Sequence, residues 1–170
     1  MKPLKEYFYL TERDPRKVLI TFLGAFVGIA VTAWAHFEFS DPYLITSFGA
    51  TAVLVFGAPQ APFSKPQNVF FGHLFSAIVG FLCAVVLGTA WYSIALAVAL
   101  AIVVMVCTNT IHPPGGATAL TMVMNGYASA EYIVRPVMLG VVFLMVVAYV
   151  CLKGRKYCDA HPLCGAEADA

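Results

Sequence analysis

Long apolar runs separated by short polar breaks dominate the chain. The four long runs cover residues 18–35, 68–90, 93–107 and 136–151. Each is close to the roughly 20 residues with which an α-helix crosses a bilayer. Two shorter apolar stretches, 48–57 and 115–124, would form helices about 15 Å long, half a bilayer's thickness. The pattern predicts an all-α polytopic membrane protein with four full transmembrane helices and two half-length, broken helices.

The same order of elements occurs twice along the chain. Gly49-Ala-Thr-Ala and Gly116-Ala-Thr-Ala are identical, and each opens a predicted short helix that ends at a glycine. Each is followed by a cation and a proline, Lys65-Pro66 or Arg135-Pro136, that start a long helix. We therefore predict two internal repeats, about 18–90 and 91–152, an arrangement that membrane transporters use with broken helices at corresponding positions.

The sequence leaves open how the two short helices run through the membrane. If they cross it, the repeats are inverted; if they turn back, the repeats are parallel. An extended residue advances about 3.3 Å and a helical one about 1.5 Å, so residues 42–57 reach far enough to cross. We favour the inverted arrangement, because sites flanked by half-helices occur in it.

Composition supports the membrane assignment. The chain is 61% hydrophobic with a mean hydropathy of +0.82, and only 11% of its residues are charged, against about 25% in soluble domains. Between Lys17 and Lys153 the charged residues are Glu38, Asp41, Lys65, Glu131 and Arg135. The net charge of +1 and the lack of a basic patch with interleaved aromatic residues indicate no nucleic-acid partner.

Charge also predicts the orientation of the chain. Cations cluster before the first apolar run and after the last one, while Glu38 and Asp41 follow the first run, so the positive-inside rule places both termini in the cytoplasm. We expect a multi-pass protein of the cell membrane. Residues 1–17 are predicted as a cytoplasmic and interfacial segment, 18–152 as the transmembrane domain, and 153–170 as a disordered cytoplasmic tail.

The most polar break in the apolar sequence lies at residues 109–120. Pro113 and Pro114 lack backbone donors and stop the preceding helix. A new helix that starts inside the membrane exposes free N–H groups and a positive dipole end. Gly115 and Gly116 would let an anion come close to these groups. The break is therefore the leading candidate for an anion-binding site.

Each candidate side chain has a structural alternative to a role in binding. His112 caps the preceding helix or serves a substrate or a proton. His73 would meet His112 if the repeats pack face to face, or it is a satisfied core residue. The hydroxyls of Thr51 and Thr118 complete an anion nest or bond their own backbone.

Four further polar residues carry the same two alternatives. Asn68 and Asn109 donate to an oxyanion or tie helices together. Lys65 and Arg135 steer anions toward a pore or snorkel at the headgroups. The predicted substrate-binding residues are Gly49, Thr51, Asn68, His73, Asn109, His112, Gly115, Gly116 and Thr118.

No residues indicate a metal, a cofactor or catalysis. Cys158, His161 and Cys164 form a C-x2-H-x2-C pattern without a nearby fourth ligand, so we expect a reduced tail and no metal site. Within the apolar runs there is no carboxylate pair, HExxH motif or serine–histidine–acid set. We therefore expect that the protein is not an enzyme.

Two blocks of the chain resemble a known family. His112-Pro-Pro-Gly-Gly-Ala-Thr-Ala resembles the signature of the HPP family of integral membrane proteins. Residues 48–59, with Pro66-Gln-Asn and Gly72-His73, resemble that family's first conserved block. The resemblance covers residues 18–152 and implies four transmembrane helices and, as in plastid and cyanobacterial members, nitrite transport.

Two functions follow from these observations. The first is a transporter or channel for a small inorganic anion, which binds near mid-membrane at the half-helix N-termini; nitrite is implied by the resemblance. The alternative is a non-transporting membrane subunit or scaffold. A chain this short would need to form a homo-oligomer to enclose a pathway.

Overall fold

The structure is a computed structural model that describes residues 14–39 and 44–161. Within these ranges the chain forms helices and no β-strand, which confirms the all-α prediction. The helices are α1 (Pro15–Phe39), α2 (Thr46–Gly57), α3 (Pro66–Leu87), α4 (Trp91–Cys107), α5 (Pro114–Met124) and α6 (Ile133–Ala160). The predicted interfacial segment up to residue 13, Asp41 and Cys164 lie outside the described residues.

In the described ranges, three helices, α1, α3 and α6, are long and apolar enough to cross a membrane, where the sequence predicted four. The fourth predicted span, α4, has 17 residues and is about 25 Å long. It ends because Asn109 adopts a φ of 55°, a left-handed conformation that asparagine tolerates. The N–H groups of Thr110 and Asn109 then donate to the carbonyls of Met105 and Val106 and close the helix end.

Successive helices run in opposite directions through the bundle. The carbonyl of Phe56 at the end of α2 lies 3.3 Å from Thr21 Oγ1 near the start of α1. The Ser93 hydroxyl at the start of α4 donates to the carbonyl of Cys83 near the end of α3. Helix α5 follows α3 in parallel and α6 returns along α1. Both short helices therefore traverse the bundle and do not fold back on themselves.

The start of α1 and the end of α6 are tied together. The Arg16 guanidinium donates to the carbonyls of His161 and Cys158 at 2.9 and 3.3 Å, and Lys17 forms an ion pair with Asp159. The Arg155 side chain donates to Thr21 Oγ1 at 2.9 Å. These contacts continue α6 to Ala160, past the tail boundary predicted at 153.

Glycines on the long helices allow close packing. A Cβ at Gly24 or Gly28 would meet the Phe56 ring at 2.8 or 3.3 Å, so α1 can approach α2 only without side chains there. Gly80 on α3 faces α5 in the same way, because a Cβ would come within 2.8 Å of the Ala119 carbonyl. Gly88 has a different role and ends α3 at a φ of 69°.

The two cation–proline pairs begin their helices differently. Lys65 is the N-cap of α3 and Pro66 is its first residue, as predicted. Helix α6 begins at Ile133, two residues before Arg135, with a π-helical segment that contains Pro136. Proline lacks the N–H that a regular turn would use, and the wider π-turn accommodates it. The predicted start of α6 at Pro136 is therefore wrong by three residues.

Candidate functional site

A cluster of polar side chains lies in the interior of this apolar bundle. Its five members are each 0% exposed: Ser47, Thr51, His73, His112 and Thr118. We call them the histidine–threonine cluster. His73 is the eighth residue of α3, so the cluster lies about 11 Å along that helix. Burial of polar groups in such surroundings is costly unless they bond one another, and it is typical of functional positions in membrane proteins.

The His73 ring lies between the two short helices. Thr51 Oγ1 of α2 is 2.8 Å from His73 Nε2, and Thr118 Oγ1 of α5 is 2.8 Å from His73 Nδ1. These threonines are the third residues of the two Gly-Ala-Thr-Ala tetrapeptides. The matching tetrapeptides therefore place matching hydroxyls on opposite nitrogens of one imidazole.

The structure brings the two predicted histidines together. The ring centroids of His73 and His112 are 4.9 Å apart. His112 Nε2 is 3.1 Å from Thr51 Oγ1, and His112 Nδ1 donates to the Phe63 carbonyl at 2.8 Å. His112 thus joins the cluster to the turn before α3 and does not cap α4, whose end Asn109 closes.

Two glycines make this arrangement sterically possible. A Cβ at Gly72 would lie 2.6 Å from His112 Cβ. A Cβ at Gly115 would lie 2.7 Å from Ser76 Oγ and 2.9 Å from the Gly72 carbonyl oxygen. Contacts this short do not occur in folded proteins, so α3 and α5 can pack at this distance only with glycine at both positions.

The predicted anion nest at the start of α5 is internally bonded in this conformation. The N–H of Gly115 donates to the His112 carbonyl at 2.8 Å, and that of Gly116 donates to the Pro113 carbonyl at 3.1 Å. The position of a Cβ at Gly116, and likewise at Gly49, faces open space. Gly115 is therefore a packing residue, and the Gly116 backbone is accessible from one side.

Asn68 holds two backbone segments at the edge of the cluster. Its Nδ2 donates to the carbonyls of Pro62 and Ile111 at 3.2 and 3.1 Å. Both amide protons are therefore used, and neither remains for the predicted bond to an oxyanion. The residue is 8% exposed, and its buried Oδ1 has no hydrogen-bond partner among the described residues. The group that Asn68 offers to a solute or a water is an acceptor.

Three predicted residues lie away from the cluster. Asn109 is exposed and shapes the end of α4. Lys65 is exposed at the start of α3. Arg135 is exposed at the opposite end of the bundle and forms an ion pair with Glu131 at 3.2 Å. The cations therefore stand near the two ends of the bundle, where headgroup contact or anion attraction is available to them.

Sequence reasoning missed two members of this network. Ser47 Oγ is 2.9 Å from Thr118 Oγ1, and the Phe63 carbonyl receives the His112 proton. Ser47 carried a signal, because it precedes Thr51 by four residues and so shares its helical face. The Phe63 carbonyl carries no sequence signal, because every residue has a backbone carbonyl. Among the described residues no group of three or more metal-ligating side chains is present.

Apolar helices of spanning length around a buried polar cluster define a polytopic membrane protein. The family model described as "HPP, transmembrane region" matches residues 10–157 of the chain. The chain belongs to the HPP transmembrane family, and the matched residues include every member of the cluster.

Two curated relatives are transmembrane proteins of Dictyostelium discoideum. One is 40% identical over 158 residues, which cover 85% of this chain and 51% of the relative. The other is 39% identical over 148 residues, which cover 81% of this chain and 52% of the relative. The chain therefore spans about half the length of these relatives. No solved structure matches it.

Proposed function

We propose that the protein is a membrane transporter for a small inorganic anion and that the histidine–threonine cluster is its solute site. The observation that carries the proposal is the placement of matching hydroxyls, Thr51 and Thr118, on the two nitrogens of His73. Broken helices that bring polar groups to one intramembrane point are the way in which many transporters build a site. Hydroxyl and imidazole N–H groups are suitable donors to an anion.

The described conformation is closed at the cluster. All five side chains are inaccessible, and their polar atoms bond one another. The turn with Pro62 and Phe63 covers one side, held by His112 and Asn68. An anion would therefore enter after this turn moves, and Lys65, next to the turn and exposed, would attract it by charge. Nitrite is the substrate that the family resemblance suggests.

The bundle's geometry supports inverted repeats and cytoplasmic termini. Each proposed repeat consists of three helices that alternate in direction, so the second repeat begins with the direction opposite to the first. The α1–α6 and α3–α4 contacts are equivalent under such a relation. The cations Arg16, Lys17 and Arg155 lie at one end, which the positive-inside rule assigns to the cytoplasm.

Cysteine labelling tests this topology. In a background without native cysteines, Lys65→Cys is expected to resist a membrane-impermeant maleimide applied to intact cells and to react after permeabilisation. Glu131→Cys is the matched control, because it is exposed at the opposite end and should react from outside. Labelling of position 65 from outside would show that α2 turns back.

Flux into liposomes tests the function itself. Purified protein in liposomes is expected to take up nitrite faster than protein-free liposomes, and His73→Leu should reduce this protein-dependent uptake at least about tenfold, since one lost bond to an anion is worth about 1.5–3 kcal/mol. Thr121→Val is the matched control. Its hydroxyl bonds only its own helix, at the carbonyl of Ala117. Equal uptake by folded His73→Leu and wild type would remove the cluster from the pathway.

A second candidate function rests on the same network. The cluster satisfies its own hydrogen bonds without a solute, as expected of a membrane subunit or scaffold whose polar core specifies packing. On that hypothesis no nitrite flux is measured for the wild type, and His73→Leu affects thermal stability alone. Self-association, which we also propose, would enclose a pathway in the first case and form an assembly in the second.

A further inference from the structure

The hydrogen bonds of the two imidazole rings can be given directions from one fixed point. The Phe63 carbonyl only accepts, so His112 Nδ1 must carry a proton. A neutral imidazole has one N–H, and Nε2 of the same ring is therefore an acceptor. Its contact is Thr51 Oγ1 at 3.1 Å. The Thr51 hydroxyl consequently donates to His112.

The remaining directions follow in turn. The single proton of Thr51 is used, so His73 Nε2, 2.8 Å away, must donate to Thr51 Oγ1. His73 Nδ1 then accepts from the Thr118 hydroxyl at 2.8 Å, and the oxygen of that hydroxyl also lies 2.9 Å from Ser47 Oγ. The donors between Thr118 and Phe63 all point the same way. With both rings neutral, each then has a defined tautomer.

The Thr51 hydroxyl has a second acceptor within reach. Its oxygen is 3.0 Å from the carbonyl oxygen of Ser47, one helical turn earlier. If the hydroxyl proton turns from His112 to this carbonyl, Nε2 of His112 is left with a free lone pair beside an oxygen. A proton added there would bond Thr51 Oγ1 in the reverse direction, and no heavy atom needs to move.

We propose that the cluster is a proton-binding site that takes up one proton on His112 Nε2, with the Thr51 hydroxyl turning to the Ser47 carbonyl as the switch. The proton comes from water, bonds the ring lone pair and leaves the cluster with one positive charge. Both N–H groups of the imidazolium then have acceptors, the Phe63 carbonyl and Thr51 Oγ1. This proton-binding proposal does not depend on whether the protein transports an anion.

His112 is the acceptor and His73 stays neutral for two reasons. His112 already donates to a backbone carbonyl, whereas His73 lies between two hydroxyls. Protonation of His73 Nδ1 would turn Thr118 to the Pro114 carbonyl, which lies at the longer distance of 3.3 Å. A second proton is opposed by the first, because the ring centroids are 4.9 Å apart.

No other described charge faces the two rings. Helices α2 and α5 contain no titratable side chain besides these neighbours, and the turn before α3 contains only Lys65, which is exposed. On the other packed helices, Cys107 and Arg135 are exposed and Tyr132 stacks on Tyr127. Cys83 packs in an apolar cluster with Ala97 and Ala101. The pH dependence of the cluster is therefore set by His73 and His112 themselves.

Nitrogen NMR of histidine-labelled protein in lipid vesicles tests the proposal directly. At about pH 8 we expect His112 with its proton on Nδ1 and His73 with its proton on Nε2. The sample is then titrated to about pH 4, a range that brackets histidine's ordinary pKa of about 6.5. We expect His112 to gain a second N–H while His73 keeps one. Identical tautomers, protonation of His73 first, or no uptake by either ring would overturn the proposal.

Variants at position 51 separate the switch from simple packing. Thr51→Val removes the acceptor for the added proton, and the protonation midpoint of His112 should fall by at least about one pH unit, the equivalent of one lost bond to a charged group. Thr51→Ser keeps the hydroxyl and should restore the wild-type midpoint. Thr121→Val, which loses a bond to its own helix only, should not change it. An unshifted midpoint in folded Thr51→Val would show that Thr51 is not the switch.

Discussion

Gly115→Ala is expected to destabilise the protein strongly, whereas Gly116→Ala should leave its stability almost unchanged. At position 115 the added methyl would lie 2.7 Å from Ser76 Oγ and 2.9 Å from a carbonyl of α3, and at position 116 it meets nothing within 4 Å. Overpacking of this kind costs about 1–3 kcal/mol, and each kcal/mol lowers the thermal midpoint by about 2–4 °C in a chain of this size. Thermal unfolding of the detergent-solubilised variants measures the difference.

Substitutions at positions 115 and 116 also distinguish a role in helix packing from a role in anion binding. Gly116→Val, whose Cβ would meet nothing within 4 Å, should fold and still lose nitrite uptake if an anion approaches the Gly116 backbone. Two folded alanine variants with equal thermal midpoints would contradict the close α3–α5 contact. Normal uptake through folded Gly116→Val would mean that the start of α5 does not bind the anion.

Asn68→Asp is expected to disrupt the fold more than Asn68→Ala. The amide donates to the carbonyls of Pro62 and Ile111. Alanine removes the Asn68 donor from the Ile111 carbonyl, at about 1–3 kcal/mol, while the Pro62 carbonyl keeps the Lys65 N–H at 3.4 Å. Aspartate does the same and adds a negative charge beside two carbonyl oxygens, in a position that is 8% exposed. Buried unpaired charges are among the most destabilising changes, at about 3–5 kcal/mol.

Yield of folded protein and its thermal midpoint measure this effect. The matched control is Asn125→Asp, because Asn125 is exposed at the end of α5 and lies outside the cluster. We expect its thermal midpoint within about 2 °C of wild type, as for surface substitutions in general. If Asn68→Asp unfolds no earlier than Asn125→Asp, Asn68 does not hold the turn.

The sequence predicted the elements well because apolar length and helix breakers are local signals. Both short helices and the start of α3 at Lys65-Pro66 follow from such signals. The start of α6 and its end at Ala160 did not follow. The first depends on a π-turn around Pro136, and the second on contacts with Arg16, 142 or more residues away in the chain.

The sequence predicted which residues form the candidate site, but it did not predict the hydrogen bonds among them. His73, His112, Thr51 and Thr118 were named because ionisable and hydroxyl groups are rare in apolar helices. Their mutual contacts depend on how α2, α3 and α5 cross, which no local pattern contains. Asn68 shows the limit most clearly, since its role is set by two backbone carbonyls that the sequence cannot locate.

The contact between the first turn of α1 and the last turn of α6 has a consequence for gene architecture. Arg16 bonds the carbonyls of Cys158 and His161, so the two chain ends of the bundle are neighbours and a short linker would join them. A circular permutant that is opened between Leu87 and Trp91 would retain every helix contact while the second half came first. The contacts of the bundle therefore do not require the first three helices to precede the last three along the chain.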